Sequence, residues 1–446
     1  MHKRTLICIG LLCVALLTVL SSFWFANVDW SKEHFLQLGN VTILQFGVLA
    51  ISMFGYWYFG PKSNNWKDYK TLLIVAIIVR IAVIPLSPYT SNDVDRYLFD
   101  GKIALSGFDP YRTSHDNPAL AKLRQEWPTP NEHAKYPTLY PPGAIALYAV
   151  SATSGPEYAE LTWKFLSSLA GILLLLVMVC LLIKMNKLKH ISLIALSPLL
   201  IIETGIGAHV DIFSALAIAS ALLFWYQDKL KSVGIALGIG ALIKLVPILL
   251  LVPLCFYQPN LKRFFSIGLS ALLVLCVGYG IAFSLSMHPI GSTPIFFEKW
   301  RNASPLFDVL NNFVQGKDLF YLIISIILLA LIAIAFFAWR NRNNNKTTLI
   351  KYMQLAIVLP LLLSPVIFPW YLVPLVPLFA LRPTAFLTCW FLILPITYEV
   401  LNQFACCNQW APQQWPTYLL ALGLSLGFLV DCFVFRDKFR KLETYA

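Results

Sequence analysis

The sequence predicts an all-α polytopic membrane protein: a bundle of bilayer-spanning helices with loops and juxtamembrane helices on one outer face. Three observations predict it. Of the 446 residues, 58% are hydrophobic and only 13% charged, about half the charge of a soluble domain. Apolar runs of about 20 residues, enough to cross a bilayer as a helix, recur along the chain. The basic residues behind the net charge of +12 gather in short segments between those runs, a pattern of membrane orientation and not of nucleic-acid binding.

The first run, Leu6–Ala26, follows Met1-His2-Lys3-Arg4 and reads as a retained first helix, a cleaved signal peptide being the alternative. Candidate spans follow at 5–26, 41–59, 70–87, 160–183, 190–206, 211–227, 264–287, 318–338, 349–366, 384–401 and 415–435. Shorter apolar pieces at 139–152, 232–244, 246–257 and 370–381 suit broken or re-entrant segments, tolerated where protein or a water-filled cavity covers their backbone. Counting these gives about 14 membrane segments.

Orientation follows from the short loops. With Lys3 and Arg4 in the cytoplasm, Lys62, Lys67 and Lys70 also fall inside. If 139–152 lies along the surface, so do Lys184, Lys187 and Lys189, then Lys229 and Lys231. With 232–244 and 246–257 as a returning pair, Lys262, Arg263, Arg340, Arg342, Lys346, Arg382 and the tail Arg436–Lys441 follow. Both termini are then cytoplasmic. The outer face receives the polar segments 88–138, 289–317 and 402–414. The chain reads as one transmembrane domain: N-terminal helices over 1–87, an outer catalytic loop with juxtamembrane helices over 88–158, and the remaining bundle over 159–446. The carboxyl end, Leu442-Glu443-Thr444-Tyr445-Ala446, carries no retention signal, which favours a bacterial plasma membrane. Asn302-Ala303-Ser304 fits a glycosylation sequon, which means little there.

Seven of the nine cysteines lie in or beside apolar runs, where Cys behaves as a small hydrophobe. Cys406 and Cys407 are adjacent and no Cys-x-x-Cys pair occurs, so neither a metal site nor a disulfide framework is expected.

The stretch Ser91-Asn92-Asp93-Val94-Asp95-Arg96-Tyr97-Leu98-Phe99-Asp100-Gly101 is where chemistry concentrates. Ser91 or Asn92 can cap a helix that Gly107 and Pro110 end. On it Asp93, Arg96, Tyr97 and Asp100 share a face. A carboxylate one turn from a guanidinium is held ionised, as a general base must be. The same acids also complement a helix dipole, which is a purely structural use.

This loop, continued by Ser106-Gly107-Phe108-Asp109-Pro110-Tyr111 and Tyr140-Pro141-Pro142, resembles the first outer loop of the GT-C glycosyltransferases. The similarity is greatest to bacterial polyprenol-phosphate-mannose-dependent mannosyltransferases, whose loop reads S-D-D-x-Y-R-Y-x-W-D-G, then G-x-N-P-Y and Y-P-P. The first mannosyltransferase of GPI-anchor assembly has a related series. Downstream, Gly207-Ala208-His209-Val210-Asp211 resembles the family's G-H-x-D, Ile243-Lys244-Leu245-Val246-Pro247 its K-x-x-P, and Pro369-Trp370-Tyr371-Leu372 its P-W-Y. Asn92, Asp95 and Phe99 depart from the pattern, and the first two leave open which Asp is the base.

The resemblance implies a GT-C-like bundle that moves a hexose, mannose by the nearest pattern, from a polyprenyl-phosphate sugar to a lipid-linked or glycan acceptor at the periplasmic face, with inversion. It implies Asp93 as catalytic base, with Asp95 as the other candidate. A leaving phosphate needs cations, for which Lys244, His209 and Arg112 are the candidates. Lys244 at membrane depth would cost about 2.5–3.5 kcal/mol if unpaired. Asp211 would orient His209. Arg96, Tyr97, Asp100 and Tyr140 complete the substrate contacts, and Trp370 and Tyr371 either line the donor groove or sit as interfacial aromatics. Arg80, Glu203 and Lys164 are expected to neutralise one another. Asp93-Val94-Asp95 also spells the D-x-D that holds a divalent cation, Mg or Mn, in nucleotide-sugar enzymes; a monophosphate donor has less need of one. A lipid-linked-glycan transporter or flippase is the alternative function, and a glycan polymerase or ligase a third. No nucleic-acid partner is expected.

Overall fold

The computed structural model describes residues 2–33, 35–127, 129–131, 134–343 and 346–443, with side chains from 3 to 434. The tail cations Arg436–Lys441 and the last residues, 444–446, therefore lie outside the described side chains or residues. Among the described residues every regular element is helical. Seven helices among the described residues are long and apolar enough to cross a bilayer: Lys3–Phe25, Leu38–Phe59, Ala159–Lys184, Leu261–Ser284, Gly316–Arg340, Ala385–Cys407 and Trp415–Val434. An eighth candidate is the pair Leu188–Ala195 and Leu199–Ile206, bent by 41°. Two of the expected full spans are shorter: the 70–87 run is helical only over Lys70–Ala82, and the 211–227 run only over Asp211–Tyr226. Leu230–Ile243, Val246–Phe256 and Pro369–Leu381 are short apolar helices, as the sequence suggested.

Why the short pieces are tolerated is visible in their packing. Leu230–Ile243 and Val246–Phe256 form a hairpin. Its base is closed where Arg263 grips Asp228. Its turn carries Lys244 in extended backbone, φ −150° and ψ 136°. Glycines let the hairpin lie flat on Leu261–Ser284, since a Cβ at Gly234 would overlap Ile267 and Ser270.

The bent pair is held by two buried cations. Arg80 donates to the carbonyls of Ala76 (2.9 Å), Ile194 (3.0 Å) and Ala195 (3.2 Å). Lys164 donates to those of Gly205 (2.7 Å) and Ile206 (2.8 Å). Apart from that of Ala76, which lies inside Lys70–Ala82, these are carbonyls that a broken helix leaves open, and without water they must be satisfied by protein. Arg80, Lys164 and Glu203 thus do not neutralise one another as the sequence suggested. The first two cap helix ends, and the third turns to the site described below.

The basic loops meet at one end of the molecule. Asn64 donates to Ile183 O and Asn186, Lys187 to Leu381 O, and Arg382 to Gln354. Lys346 lies over the rings of Trp225 and Tyr226. The opposite end holds the Asp93–Leu105 helix. Pro142–Ala152 packs along it without crossing. The Asp93–Leu105 helix starts where the Ser91 hydroxyl accepts the Asp93 amide (3.1 Å). It ends at Gly107 (φ +79°), where the Gly107 and Phe108 amides reach Ala104 O and Ile103 O, a Schellman closure.

Gly101 sits where that helix touches Pro142–Ala152: a Cβ there would overlap the backbone of Tyr148 and Ala149. Gly101→Ala is therefore expected to destabilise the protein by about 1–3 kcal/mol, the usual cost of overpacking, read as a lower thermal midpoint in detergent. An unchanged midpoint would mean that the two helices are free to separate.

One covalent feature departs from the sequence expectation: Cys406 and Cys407 are joined in a vicinal disulfide. Asn302, the sequon asparagine, is buried and donates its side-chain amide to Ile367 O (3.0 Å).

A candidate active site at the end opposite the basic loops

Five stretches of chain converge around a cavity of about 510 Å³. The Asp93–Leu105 helix contributes Asp93 and Arg96. The end of the Thr293–Lys299 helix and the residues after it contribute Lys299, Trp300 and Arg301. The Pro369–Leu375 turn contributes Trp370 and Tyr371. The second and third are pinned together at Asn302, whose amide donates to Pro365 O (3.2 Å) and whose carbonyl accepts from Ile367 N–H (2.9 Å). Leu139, Phe368, Val400, Leu401, Phe404 and Trp410 make much of the remaining wall apolar.

Asp93 is the carboxylate on this wall, with 21% of its side chain open. It occupies the first turn of its helix, where the dipole favours negative charge. The Tyr97 hydroxyl donates to it (3.3 Å) and itself accepts from Tyr140 (3.3 Å). Tyr97 is fixed by a parallel stack on Tyr148 at 4.6 Å. Burial pushes the Asp93 carboxyl up, but the adjacent His209, with Arg96 and Lys244, outweighs burial and holds it below the ordinary range.

His209 is fully buried between two carboxylates. Its Nδ1 lies 3.5 Å from Asp93 and its Nε2 3.6 Å from Glu203. The ring is clamped flat on Trp370 (3.9 Å, 10°), which in turn stacks on Phe368 (4.3 Å, 8°). Glu203 accepts the Tyr398 hydroxyl on both oxygens (2.7 and 2.8 Å), and Tyr398 borders the cavity.

The backbone that delivers this histidine is unusual. Leu199–Ile206 winds as a π-helix, a form concentrated at functional sites. Ala208 follows at φ +49°, the left-handed region that a Cβ disfavours. Its carbonyl is anchored by the Trp163 indole (2.8 Å). His209→Gln is expected to slow turnover by on the order of 10–100-fold through loss of positioning. It should also move the acid limb of the pH–rate profile upward, because burial then dominates at Asp93. An unmoved limb would contradict coupling between the two side chains.

Several sequence candidates are not brought to the cavity. Asp211 binds Lys244 on both oxygens (2.6 and 2.7 Å) and does not orient His209. Lys244 stands behind Tyr371, its ammonium 4.8 Å from the ring centre, and not on the cavity wall. Arg112 is mostly exposed, 4.0 Å from Asp109. Asp100 is buried against His115 (2.7 Å). Asp95 faces other surroundings, where burial and then Glu160 raise its carboxyl to about 6. The Asp-x-Asp pair does not converge, and among the described residues no three His, Cys, Asp or Glu side chains group to hold a metal. Lys299, Trp300, Arg301, Tyr398 and Trp410 were missed in the sequence. Only the placement of 289–317 and 402–414 on the same face as the Asp93 loop pointed towards four of them.

A family profile described as "Alpha-(1->6)-mannopyranosyltransferase, N-terminal domain" matches residues 2–258. That range includes Asp93, Glu203, His209, Asp211 and Lys244; the walls at 296–302, 366–371 and 397–412 lie beyond it. Among solved structures, "ArnT from Cupriavidus metallidurans bound to Undecaprenyl phosphate" is similar over 82% of this chain and 76% of its own, at 14% identity and a TM-score of 0.45. No curated protein matches.

Proposed function

The chain belongs to the alpha-(1->6)-mannopyranosyltransferase family, and on that premise we propose that this membrane glycosyltransferase draws mannose from a polyprenyl-phosphate donor, with Asp93 as base. The observation that carries the reading is an ionised carboxylate on the wall of a largely aromatic and aliphatic cavity, flanked by Arg96, Lys299 and Arg301. Such a wall suits a lipid-borne donor, and such cations suit its phosphate. Family membership weighs against the transporter reading.

In the proposed step an acceptor hydroxyl gives its proton to Asp93 as its oxygen bonds to the anomeric carbon. The bond from that carbon to the phosphate oxygen breaks on the far side, and the electron pair leaves on the phosphate. Charge growing there is met by Arg96, Arg301 and Lys299, donors placed before the reaction begins. These replace Lys244 and Arg112 as the phosphate contacts. Tyr97 and Tyr140 fix the carboxylate's direction, and His209 keeps it ionised.

Orientation follows the basic loops. Loop charge favours the cytoplasm for their common end, which supports a cavity at the outer, periplasmic face of a bacterial plasma membrane. The amino terminus sits near the same end, Arg4 lying within charge range of Lys62. Asp431 of the last helix caps Ala385 and Phe386 there, which supports a cytoplasmic side for both termini.

Stereochemistry tests the step. From a β-linked polyprenyl-phosphate mannose, the disaccharide linkage read by NMR should be α. A β product would overturn direct displacement and require two successive ones.

A further inference from the structure

We propose that the Cys406–Cys407 disulfide is a reversible thiol–disulfide site that tunes how the cavity holds its ligand: the oxidised pair fixes the wall at Trp410, and reduction by a dithiol releases it. The proposal rests on the transferase reading above, since the ligand concerned is the lipid-borne donor. This is the one disulfide among the described residues, and both of its cysteines are exposed. The other seven cysteines are free and lie within helices of the bundle. Exposed disulfides are the ones that exchange most readily with outside thiols. A disulfide also persists on the oxidising side of a membrane, which agrees with an outer face for this end of the molecule.

The pair sits between two parts of the cavity wall. The Val400–Cys407 helix lends Val400, Leu401 and Phe404 to that wall, and the wall resumes at Trp410 and Pro412. The helix is anchored at Asn402, whose side-chain oxygen accepts the amides of Gly39 (2.8 Å) and Asn40 (3.2 Å). The far side of the turn is anchored where Glu399 accepts the Gln413 amide (2.7 Å). Between these anchors the chain reverses through Asn408 at φ +52°, in the left-handed region. Bonding adjacent cysteines closes a small ring through the peptide between them, which removes backbone freedom just before that reversal.

Trp410 is the side chain that this arrangement aims. Its ring meets Phe404 (5.9 Å, 76°) and Phe368 (6.0 Å, 71°) edge-on, and both of those rings are cavity wall. These contacts are ring on ring, so the indole's place depends on the backbone that carries it. Opening the ring at 406–407 restores rotation to that backbone and lets the indole leave Phe368. Asp93 keeps its own partners, because Tyr97 and His209 lie on other elements. In the exchange, a thiolate of the dithiol attacks one sulfur of the pair, the S–S bond breaks, and the other sulfur leaves as a thiolate. The second thiol of the reductant then displaces the first cysteine and closes the reductant's own disulfide. Two electrons and two protons have then passed to Cys406 and Cys407, and the dithiol has lost the same.

The test uses the full chain in lipid nanodiscs, before and after dithiothreitol, with polyprenyl phosphate as the ligand. Maleimide labelling read by mass should find Cys406 and Cys407 blocked at first and open after reduction. Polyprenyl phosphate should then bind about two- to tenfold more weakly, the range for one aromatic contact, and oxidised glutathione should restore its affinity. In turnover the loss should fall on KM for the donor and leave kcat near its oxidised value. Cys406→Ser/Cys407→Ser should bind like the reduced form and ignore dithiothreitol. Amide exchange at Asn408, Gln409 and Trp410 should quicken on reduction. Thiols open before reduction, equal exchange in the two forms, equal measurable lipid affinity, or a double variant that still responds to dithiothreitol would each overturn the proposal. Faster exchange on reduction with no polyprenyl phosphate bound in either form would sink the donor reading and leave the redox control of Trp410 standing.

Discussion

Asp93→Asn is expected to lower kcat/KM for mannosyl transfer by about 10²–10⁴-fold, the usual contribution of a positioned general base. The amide has the same shape and can still accept from Tyr97, so protein level and thermal midpoint should hold. What it lacks is a place for the acceptor's proton. Asp95→Asn is the matched control, and it should leave turnover near wild type because Asp95 does not border the cavity. It also carries a sign that can be checked. Burial and Glu160 raise the Asp95 carboxyl to about 6, so its ionised form opposes folding at neutral pH. Its titration adds stability as pH falls from about 6 towards the unfolded value near 4. Wild type should therefore gain stability relative to Asp95→Asn over that window. Asp93 behaves oppositely: its carboxyl is held below the ordinary range, so it should place no acid limb between pH 5 and 8.

Lys244→Met should cost about 3–5 kcal/mol, because it strands the Asp211 carboxylate, of which 1% is exposed, without its partner. The paired change Lys244→Met/Asp211→Leu removes both charges and should recover most of that loss, since apolar replacement of a buried ion pair is often neutral or better. Measured as thermal midpoints, a double variant no better than the single would mean that the pair's geometry, and not its charge balance, holds the hairpin turn. Activity separates two roles for Lys244. Recovery of fold with turnover within a few-fold of wild type fits the tie to Asp211 behind Tyr371. A stable double variant without activity would return Lys244 to the phosphate.

The spans Leu261–Ser284 and Gly316–Arg340 were legible because a long apolar run has one physical reading in water-filled cells. The gathering of Lys62, Lys187, Arg263, Lys346 and Arg382 at one end followed from loop charge alone. Partners were less legible. Arg80 and Lys164 looked like halves of ion pairs, because sequence shows charges and hides the open carbonyls of a broken helix. Asp100 was grouped with Asp93 by helical periodicity. Seven residues of helix place it about 10.5 Å farther along the axis, past the cavity and against His115. Asp211 stood two residues from His209 and was assigned to it. The π-turn and the left-handed Ala208 swing His209 instead to Asp93 and Glu203. Lys299, Trp300 and Arg301 sit some 200 residues from Asp93 in sequence, and long-range ties such as the bridge at Asn302 and Val366 bring them in.

The central claim is that the sugar comes from a polyprenyl phosphate held in the aromatic cavity beside Asp93. It is tested most directly by giving the chain in nanodiscs two labelled donors, polyprenyl-phosphate mannose and GDP-mannose, with α-1,6-mannotriose and its 1-phosphate as acceptors, and counting label in the extended glycan. Transfer from the lipid donor alone, lost in Asp93→Asn, is the predicted result. Transfer from the nucleotide sugar, or lipid-donor transfer that Asp93→Asn leaves intact, would contradict it.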